Sequence, residues 1–294
     1  MKRASSKSIR AVIKNISDKE RLDFQQTITR YLHERLLYRV SISAHRSNFI
    51  LKGGNLMYVI EGLHTRPTID IDMLSQKMDN DKESLKAIFK EICDIHYADD
   101  CVVFNSSTIK ALDIAEEKRY SGVRLLIEAQ FDTIRQNVQI DFGFGDVITP
   151  APVALLYPVL LDGLDSPSIL TYSAETVIAE KFEAMIQLGE LNSRMKDFFD
   201  VYILLKNNRV DTDALKEAIF RTFERRKTIL KRDPAIFTDD FYLFEQRKTK
   251  WGHFLKKIKA EHLDFTEVIQ TITATLQPIY QTMQEVDNKQ QPTI

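Results

Sequence analysis

The sequence predicts an α+β protein in which a mixed β-sheet with flanking helices is followed by a C-terminal helical bundle. Two observations lead to this prediction. Short strand-like and helical segments are interleaved up to residue 172, and apolar residues recur at helical spacing over most of the chain from residue 173 onward. We therefore expect two domains, residues 1–172 with an N-terminal helix and the sheet, and residues 173–294 with helices.

The composition narrows the class of protein. The 294 residues are 44% hydrophobic, which allows a substantial core, and the 41 basic residues almost balance the 42 acidic ones, so no overall charge favours a nucleic-acid or membrane partner. Cys93 and Cys101 lack the spacing of a zinc site or a disulfide framework. No apolar run reaches the ~18 residues of a membrane span, and the basic N-terminus lacks an apolar signal segment. We therefore expect a cytoplasmic protein without a membrane partner.

The first elements are predicted to be a helix, a strand and a second helix. Asp18 can cap the first helix, whose apolar positions run from Leu22 to Leu36. Residues 49–51 (FIL) are typical of a short buried strand, which enters the pair Gly53-Gly54 before helical spacing resumes. This order predicts a strand, a glycine turn and a helix.

The next strand carries an acidic face. Residues 68–73 (TIDIDM) alternate between apolar and polar side chains, as a half-buried strand requires. Ser173 is a plausible cap for a later helix that ends at Leu188. The remaining predicted elements are a helix over 82–95, strands near 101–104, 123–131, 138–142 and 169–172, and helices over 196–205 and from 211 onward.

Three aspartates form a candidate metal site. Asp70 and Asp72 are two residues apart on one strand and point to the same face, and Asp141 lies among Val138, Ile140 and Phe142 in the same alternating pattern. Like charges ~4 Å apart repel by about 4 kcal/mol at an effective dielectric near 20, so a cluster of them favours a bound cation such as Mg²⁺. Solvent-facing aspartates of an antiparallel sheet would show the same pattern.

The glycine pair is a candidate phosphate-binding turn. Gly53-Gly54 allows backbone amides to approach phosphate oxygens closely, with a helix N-terminus behind them. Lys52 and Arg66 flank this region and could neutralise a triphosphate, although exposed basic residues are usually just solvated.

A lysine interrupts an apolar helix stripe in the second domain. Lys181 lies on the stripe of Ile178 and Met185, so it needs an acidic partner, a route to solvent or a ligand. Asp197 and Asp200, three residues apart on a largely apolar helix, are the candidate partners. A structural ion pair and a polar wall of an active site would both explain these charges.

Five segments of the chain are considered together: 52–54 (KGG), 66–72 (RPTIDID), 140–146 (IDFGFGD), 180–181 (EK) and 194–200 (RMKDFFD). Their order and spacing resemble the AbiEii/AbiGii nucleotidyltransferase toxins, which belong to the polymerase-β-like nucleotidyltransferase superfamily. The resemblance covers about residues 45–205. It implies a nucleotidyltransferase core up to residue 172 and a helical domain from residue 173 that completes the active-site cleft. In the wider superfamily the phosphate turn usually reads Gly-Ser, whereas Asn55 follows Gly54 here.

The resemblance also implies a role for each residue. Asp70, Asp72 and Asp141 would bind Mg²⁺ or Mn²⁺, and Asp141 would activate an acceptor hydroxyl for in-line attack on the α-phosphate of an NTP. Lys181, which would contact the triphosphate, and Asp197 would complete the catalytic set. The residues implied in NTP binding are Lys52, Gly53, Gly54, Arg66, Thr68, Lys181, Arg194, Lys196 and Asp200.

The resemblance further implies a toxin of a toxin–antitoxin or phage-defence system, with a cognate antitoxin and, in some members, the tRNA 3′ end as acceptor. A tRNA needs a local basic surface, although basic helix faces are often only solvated. Two alternatives stay open: a protein or small-molecule acceptor, and a non-catalytic protein that binds a partner through its helical domain. The candidates for the basic surface are Arg221, Arg225, Arg226, Lys227, Lys231, Arg232, Lys248, Lys250, Lys256, Lys257 and Lys259.

Overall fold

The structure is a computed structural model that describes residues 5–76, 81–116, 120–207 and 210–290. The chain divides into two compact units. The first unit comprises the chain up to Asp146 together with Pro152–Thr171, and the second comprises Val147–Ala151 together with the chain from Tyr172 onward. Among the helices described, none has the combined length and apolar composition that crossing a membrane would require.

The first unit is built on a mixed sheet, which has seven strands in the described part of the chain. The strands are β1 (Phe49–Lys52), β2 (Asp70–Ser75), β3 (Val102–Glu116), β4 (Tyr120–Phe131), β5 (Ile134–Phe144), β6 (Val153–Leu156) and β7 (Ser168–Thr171). They lie in the order β3-β4-β5-β2-β1-β7-β6. β2 is parallel to β5 and β1 is parallel to β7, whereas the other neighbours are antiparallel. The predicted α+β class with a mixed sheet is confirmed.

Two strands differ from the prediction. β3 continues far beyond residue 104, and its register shifts between Asn105 and Lys110, where the apolar alternation is interrupted. β6 was not predicted. It lies at the edge of the sheet and exposes Val153 and Leu156, so it lacks the buried face that produces a periodic signal.

Two helices precede the sheet, where the sequence predicted one. They are α1 (Ser6–Lys19), capped by Ser5, and α2 (Phe24–Ile42), capped by Asp23. The prediction that Asp18 is the cap was wrong, because Asp18 lies within α1 and pairs with Lys14 one turn earlier. The two other α-helices described in this unit are α3 (Gly53–Glu61) and α4 (Lys82–Cys93), close to their predicted positions.

The second unit is helical. Its helices are α5 (Ala174–Leu188), α6 (Met195–Lys206), α7 (Thr212–Arg226), α8 (Asp239–Leu243), α9 (Glu245–Ile258) and α10 (Phe265–Gln290). The Ser173 side chain accepts a hydrogen bond from the backbone N–H of Thr176, as its predicted role as a cap requires. The predicted C-terminal helical bundle is therefore confirmed.

A buried ion pair holds α2 to the chain segment before β3. Arg39 is 2% exposed and donates bidentately to Asp100, with distances of 2.7 Å from Nη1 to Oδ2 and 3.3 Å from Nη2 to Oδ1. The backbone N–H of Val102 also donates to Asp100, and the Val102 carbonyl accepts from Arg39. Each residue therefore neutralises the charge of the other, which would otherwise be buried in the core without a counterion.

We expect Asp100→Ala to lower the free energy of unfolding by about 3–5 kcal/mol, because it leaves the Arg39 guanidinium buried without its counterion. Asp113→Ala is the matched control. Asp113 pairs with Lys82 at the surface, where an ion pair contributes only about 0–1 kcal/mol. Urea unfolding followed by circular dichroism measures both, and equal effects of the two substitutions would contradict the prediction.

Candidate active site

Three carboxylates meet on one face of the sheet. Asp70 and Asp72 lie on β2, and Asp141 lies on the neighbouring strand β5. Each residue offers an oxygen that lies within 4.8 Å of the oxygens of the other two, and all three are half-buried. The predicted cluster is thus present as a geometric arrangement.

Strand pairing explains why these aspartates converge. β2 and β5 are parallel, and the register places Asp72 directly beside Asp141. The intervening Ile71 and Ile140 are fully buried, so the alternation turns the carboxylates to the opposite, more exposed face. The sequence predicted this face, whereas the register between the two strands could not be read from either strand alone.

Gly53 and Gly54 lie so close to neighbouring side chains that neither position has room for a Cβ atom. Gly53 has φ +66°, and a Cβ there would lie 1.8 Å from Oδ2 of Asp72. A Cβ at Gly54 would lie 2.5 Å from the Cβ of Thr68. The first turn of α3 therefore lies directly against the carboxylate cluster, and the predicted turn is the start of this helix.

Asp70 is held from both its side chain and its backbone. The Thr68 hydroxyl donates to Oδ1 of Asp70 at 2.7 Å, and the Asn55 amide donates to the Asp70 carbonyl at 2.7 Å. Tyr157 in turn donates to the Asn55 amide oxygen, at 2.7 Å. The second Asn55 N–H points to Nδ1 of His33 at 3.3 Å, and burial lowers the pKa of His33 to about 4, so this ring is a neutral acceptor.

Sequence reasoning missed this network. The sequence singles out Asn55 only because the wider superfamily usually has serine at this position, and it does not single out His33 or Tyr157. All three side chains are buried, with exposures of 1% for His33, 2% for Asn55 and 0% for Tyr157. For His33 on α2 and Asn55 on α3, the available signal was a polar residue on the buried face of a helix, because such groups need partners.

The two basic side chains predicted to bind phosphate, Lys52 and Arg66, lie in the same unit as the three aspartates. Lys52 is opposite Asp72 in the pairing of β1 with β2, and its Nζ lies 3.1 Å from Oδ2 of Asp146. Its side chain passes over Gly143, where a Cβ would come 3.3 Å from Nζ. Arg66 is 8% exposed, so it is not the solvated residue that an exposed lysine or arginine would be.

Arg124 is a residue that the sequence did not single out. It lies opposite Asp141 in the pairing of β4 with β5 and donates to it bidentately, at 2.8 Å from Nε to Oδ1 and 2.7 Å from Nη2 to Oδ2. Gln139 also donates to Oδ2 of Asp141, at 3.3 Å. The hydrogen bonds to Asp141, and then the nearby charges of Asp141, Asp70 and Asp72, raise the pKa of Arg124.

The donor set fits a hard divalent cation. Carboxylate oxygens are the protein ligands that Mg²⁺ and Mn²⁺ prefer, and Mg²⁺ commonly uses only one or two of them beside water and substrate phosphates. The absence of a side chain at Gly53 leaves the backbone of α3 against Asp72, so a cation there would also face a helix N-terminus open to an anionic ligand.

A second charged cluster lies in the helical unit. Nζ of Lys181 lies 2.7 Å from Oδ1 of Asp197 and 2.9 Å from Oδ2 of Asp200. Nε of Arg194 lies 2.6 Å from Oδ2 of Asp197. Both aspartates are buried, so Lys181 has the acidic partners expected of a lysine in an apolar stripe. Lys196 is exposed on the first turn of α6.

Comparisons with known proteins give one family match. A family model described as "Nucleotidyl transferase AbiEii toxin, Type IV TA system" matches residues 35–276. None of the curated proteins compared with the chain matches it.

Two solved structures from Helicobacter pylori are similar in fold. JHP933 has 16% sequence identity and a TM-score of 0.47, and the alignment covers 88% of this chain and 96% of JHP933. A candidate nucleotidyltransferase has 17% identity and a TM-score of 0.46, with coverage of 90% of this chain and 99% of the other. Both likenesses are distant.

We expect Gly53→Ala to weaken Mn²⁺ binding about tenfold or more, because the new methyl group must displace the Asp72 carboxylate. Gly62→Ala is the matched control. Gly62 also has a positive φ, +78°, but a Cβ there meets nothing within 4 Å. Both variants should lose roughly 1 kcal/mol or more of stability from backbone strain, and only Gly53→Ala should lose metal affinity. Isothermal calorimetry with Mn²⁺ measures this, and equal affinities in the two variants would contradict the prediction.

Proposed function

The chain belongs to the AbiEii family of nucleotidyltransferase toxins from type IV toxin–antitoxin systems, and on this premise we propose a specific reaction and acceptor. The proposed reaction transfers a nucleotide from an NTP to an acceptor hydroxyl, with the tRNA 3′ end as the acceptor. Asp70, Asp72 and Asp141 hold the divalent cation in this proposal. The observation that supports it is the convergence of these three carboxylates beside the glycine start of α3.

The residues of the first unit suggest how the chemistry is divided. The acceptor oxygen forms a bond to the α-phosphorus while the bond to the pyrophosphate oxygen breaks and pyrophosphate leaves. A divalent cation held by Asp70, Asp72 and Asp141 would supply stabilisation for the negative charge that develops in this step. We assign the hydroxyl proton to Asp141. The backbone at Gly53 and Gly54 binds the phosphates, and Thr68 with Asn55 keeps Asp70 in place.

Asp70 is held at both its side chain and its backbone. Its carboxylate oxygen and its carbonyl oxygen both accept hydrogen bonds from neighbouring side chains, so the side chain and the backbone are held independently. Such outer contacts orient a metal ligand and reduce the entropy lost when the cation binds. We therefore propose Thr68 as a positioning residue, in place of the phosphate contact expected from the sequence.

The roles of the helical unit stay predictions. We propose that Lys181 contacts the triphosphate and that Arg194, Lys196, Asp197 and Asp200 support NTP binding, as the family resemblance implies. The close pairing of Lys181 with two aspartates is consistent with a positioned lysine, since its ammonium group is held in one location. It would equally suit a purely structural role, which separate substitutions would distinguish.

The tRNA acceptor is favoured by exposed basic residues of the second unit. Lys250, Lys256 and Lys257 are exposed on α9 and are suited to contact phosphates. Two other candidates are engaged elsewhere: Arg226 pairs with Glu180 and Glu183, and Nζ of Lys231 donates to the carbonyl of Ile186 at 2.9 Å. We therefore place the RNA-binding surface on α9 in preference to the end of α7.

The family suggests the biological setting. Membership in a type IV toxin–antitoxin family implies a cognate antitoxin and an NTP substrate. We further propose a role in phage defence and a cytoplasmic location, where NTPs and tRNA are both available.

The direct test is incubation of the purified chain with total tRNA and each labelled NTP in turn, with Mg²⁺ or Mn²⁺. We expect label on tRNA with one or two of the nucleotides, and a loss of at least about 10²-fold in Asp70→Asn, because the neutral amide is a poor ligand for a hard cation. Asp113→Asn makes the same chemical change at an exposed aspartate on β3 and should retain activity.

Each outcome of this test is informative. Equal labelling by Asp70→Asn and the unsubstituted chain would contradict the metal assignment. Metal-dependent NTP binding without labelled tRNA would point to a protein or small-molecule acceptor. Absence of both would favour the non-catalytic binding protein.

The acceptor surface has its own test. We expect the double substitution Lys256→Gln and Lys257→Gln to raise the KM for tRNA and to reduce the slope of log KM against log salt by about 2, one for each lost phosphate contact. Lys14→Gln with Lys19→Gln removes the same charge from α1 and is the control. An unchanged salt slope in the α9 variant would move the RNA surface away from this helix.

A further inference from the structure

Arg124 is hydrogen-bonded to the Asp141 carboxylate, which the proposed function assigns to the cation. We propose that Arg124 is the counterion of Asp141 before metal binds, and that it leaves Asp141 for a phosphate of the incoming NTP once the cation is in place. The inference rests on the proposed function and adds a residue to it. Arg124 lies outside the segments that resemble the family.

The hydrogen bonds to Asp141 show why metal and Arg124 compete. A carboxylate oxygen has about two lone pairs. Oδ2 of Asp141 accepts from both Nη2 of Arg124 and Nε2 of Gln139, and Oδ1 accepts from Nε of Arg124. A cation can therefore bind Oδ2 only if Arg124 or Gln139 leaves. A cation at the remaining lone pair of Oδ1 would lie beside the Arg124 guanidinium, and the two positive charges repel each other.

The sheet register places this arginine in a row of charges. Four neighbouring strands contribute one residue each to the row, in the order Arg124, Asp141, Asp72 and Lys52. Side chains that face one another in register point to the same face of a sheet. The two acidic residues in the middle are thus flanked by basic residues, and Arg124 lies where a displaced guanidinium still faces the same ligand.

The ion pair of Arg124 and Asp141 is exposed enough to break without leaving a charge buried in the core. The Arg124 side chain is 36% exposed and the Asp141 side chain is 17% exposed. The structural pair of Arg39 and Asp100 has exposures of only 2% and 0%. Solvent can therefore replace the Asp141 contact of Arg124 at modest cost, whereas opening the buried pair would leave a charge in the core.

The test measures Mn²⁺ binding to the full chain by isothermal calorimetry, first without nucleotide. We expect Arg124→Gln to bind Mn²⁺ about tenfold more tightly than the unsubstituted chain, because it removes the competing positive charge. Arg124→Lys keeps the charge without the bidentate fork and should stay within about threefold of the unsubstituted chain. Arg10→Gln is the matched control, since Arg10 is 42% exposed and pairs with Asp132 at the turn between β4 and β5.

The second titration uses Mn²⁺ with the α,β-methylene analogue of each NTP. Here we expect the opposite sign, with Arg124→Gln binding the best analogue about tenfold more weakly because the phosphate contact is lost. A residue that only stabilises the fold would not change the two affinities in opposite directions. Circular dichroism of Arg124→Gln and Arg124→Lys verifies that both variants are folded.

Two results would overturn the inference. Mn²⁺ binding that is no tighter in Arg124→Gln, including no measurable binding by either protein, removes the counterion role. Unchanged analogue binding in this variant removes the transfer to phosphate. Both measurements are independent of catalysis, so a chain that labels tRNA but fails them refutes this inference alone. A chain that passes them without labelling tRNA refutes only the proposed acceptor.

Discussion

The parallel pairing of β2 with β5 is the constraint on which the site depends. It brings Asp141 beside Asp72, and the antiparallel pairing of β1 with β2 brings the start of α3 to the same place. A slip of one residue between β2 and β5 would turn one strand's carboxylates to the opposite face. Buried Ile71 and Ile140 oppose such a slip, because their apolar side chains would then face the solvent side. The buried apolar residues of the sheet thus fix the positions of the carboxylates.

Electrostatic repulsion among the aspartates is offset by contacts from outside the cluster. Thr68 donates to Asp70, and Arg124 with Gln139 donates to Asp141. Hydrogen bonds of this kind hold the carboxylates in place, and the Arg124 guanidinium offsets part of their mutual repulsion. The arrangement can therefore exist without metal and remain ready for it. The same unit also contains a fully buried ion pair, Arg39 with Asp100, whose role is structural.

Local patterns were predictable from the sequence, and long-range pairing was not. The cap at Ser173 and the alternation around Asp70 and Asp72 depend on neighbouring residues, and the structure agrees with both. The pair of Arg124 and Asp141 joins residues 17 positions apart, and the bond from Tyr157 to Asn55 spans 102 positions, so both depend on how strands and helices are arranged. The error at Asp18 has a local cause. Ser5, Asp18 and Asp23 are all acceptable caps by residue type, and the buried stripe of α1 decides between them.

The network around Asn55 also limits how this chain can vary during evolution. His33, Asn55 and Tyr157 come from α2, α3 and the segment after β6, and each fills a hydrogen-bonding position that another leaves. If one of them alone is exchanged for an apolar residue, a buried polar group of its neighbour loses its hydrogen-bond partner. Related chains should therefore change these three positions jointly, and a chimera that joins two relatives should inherit all three from the same parent.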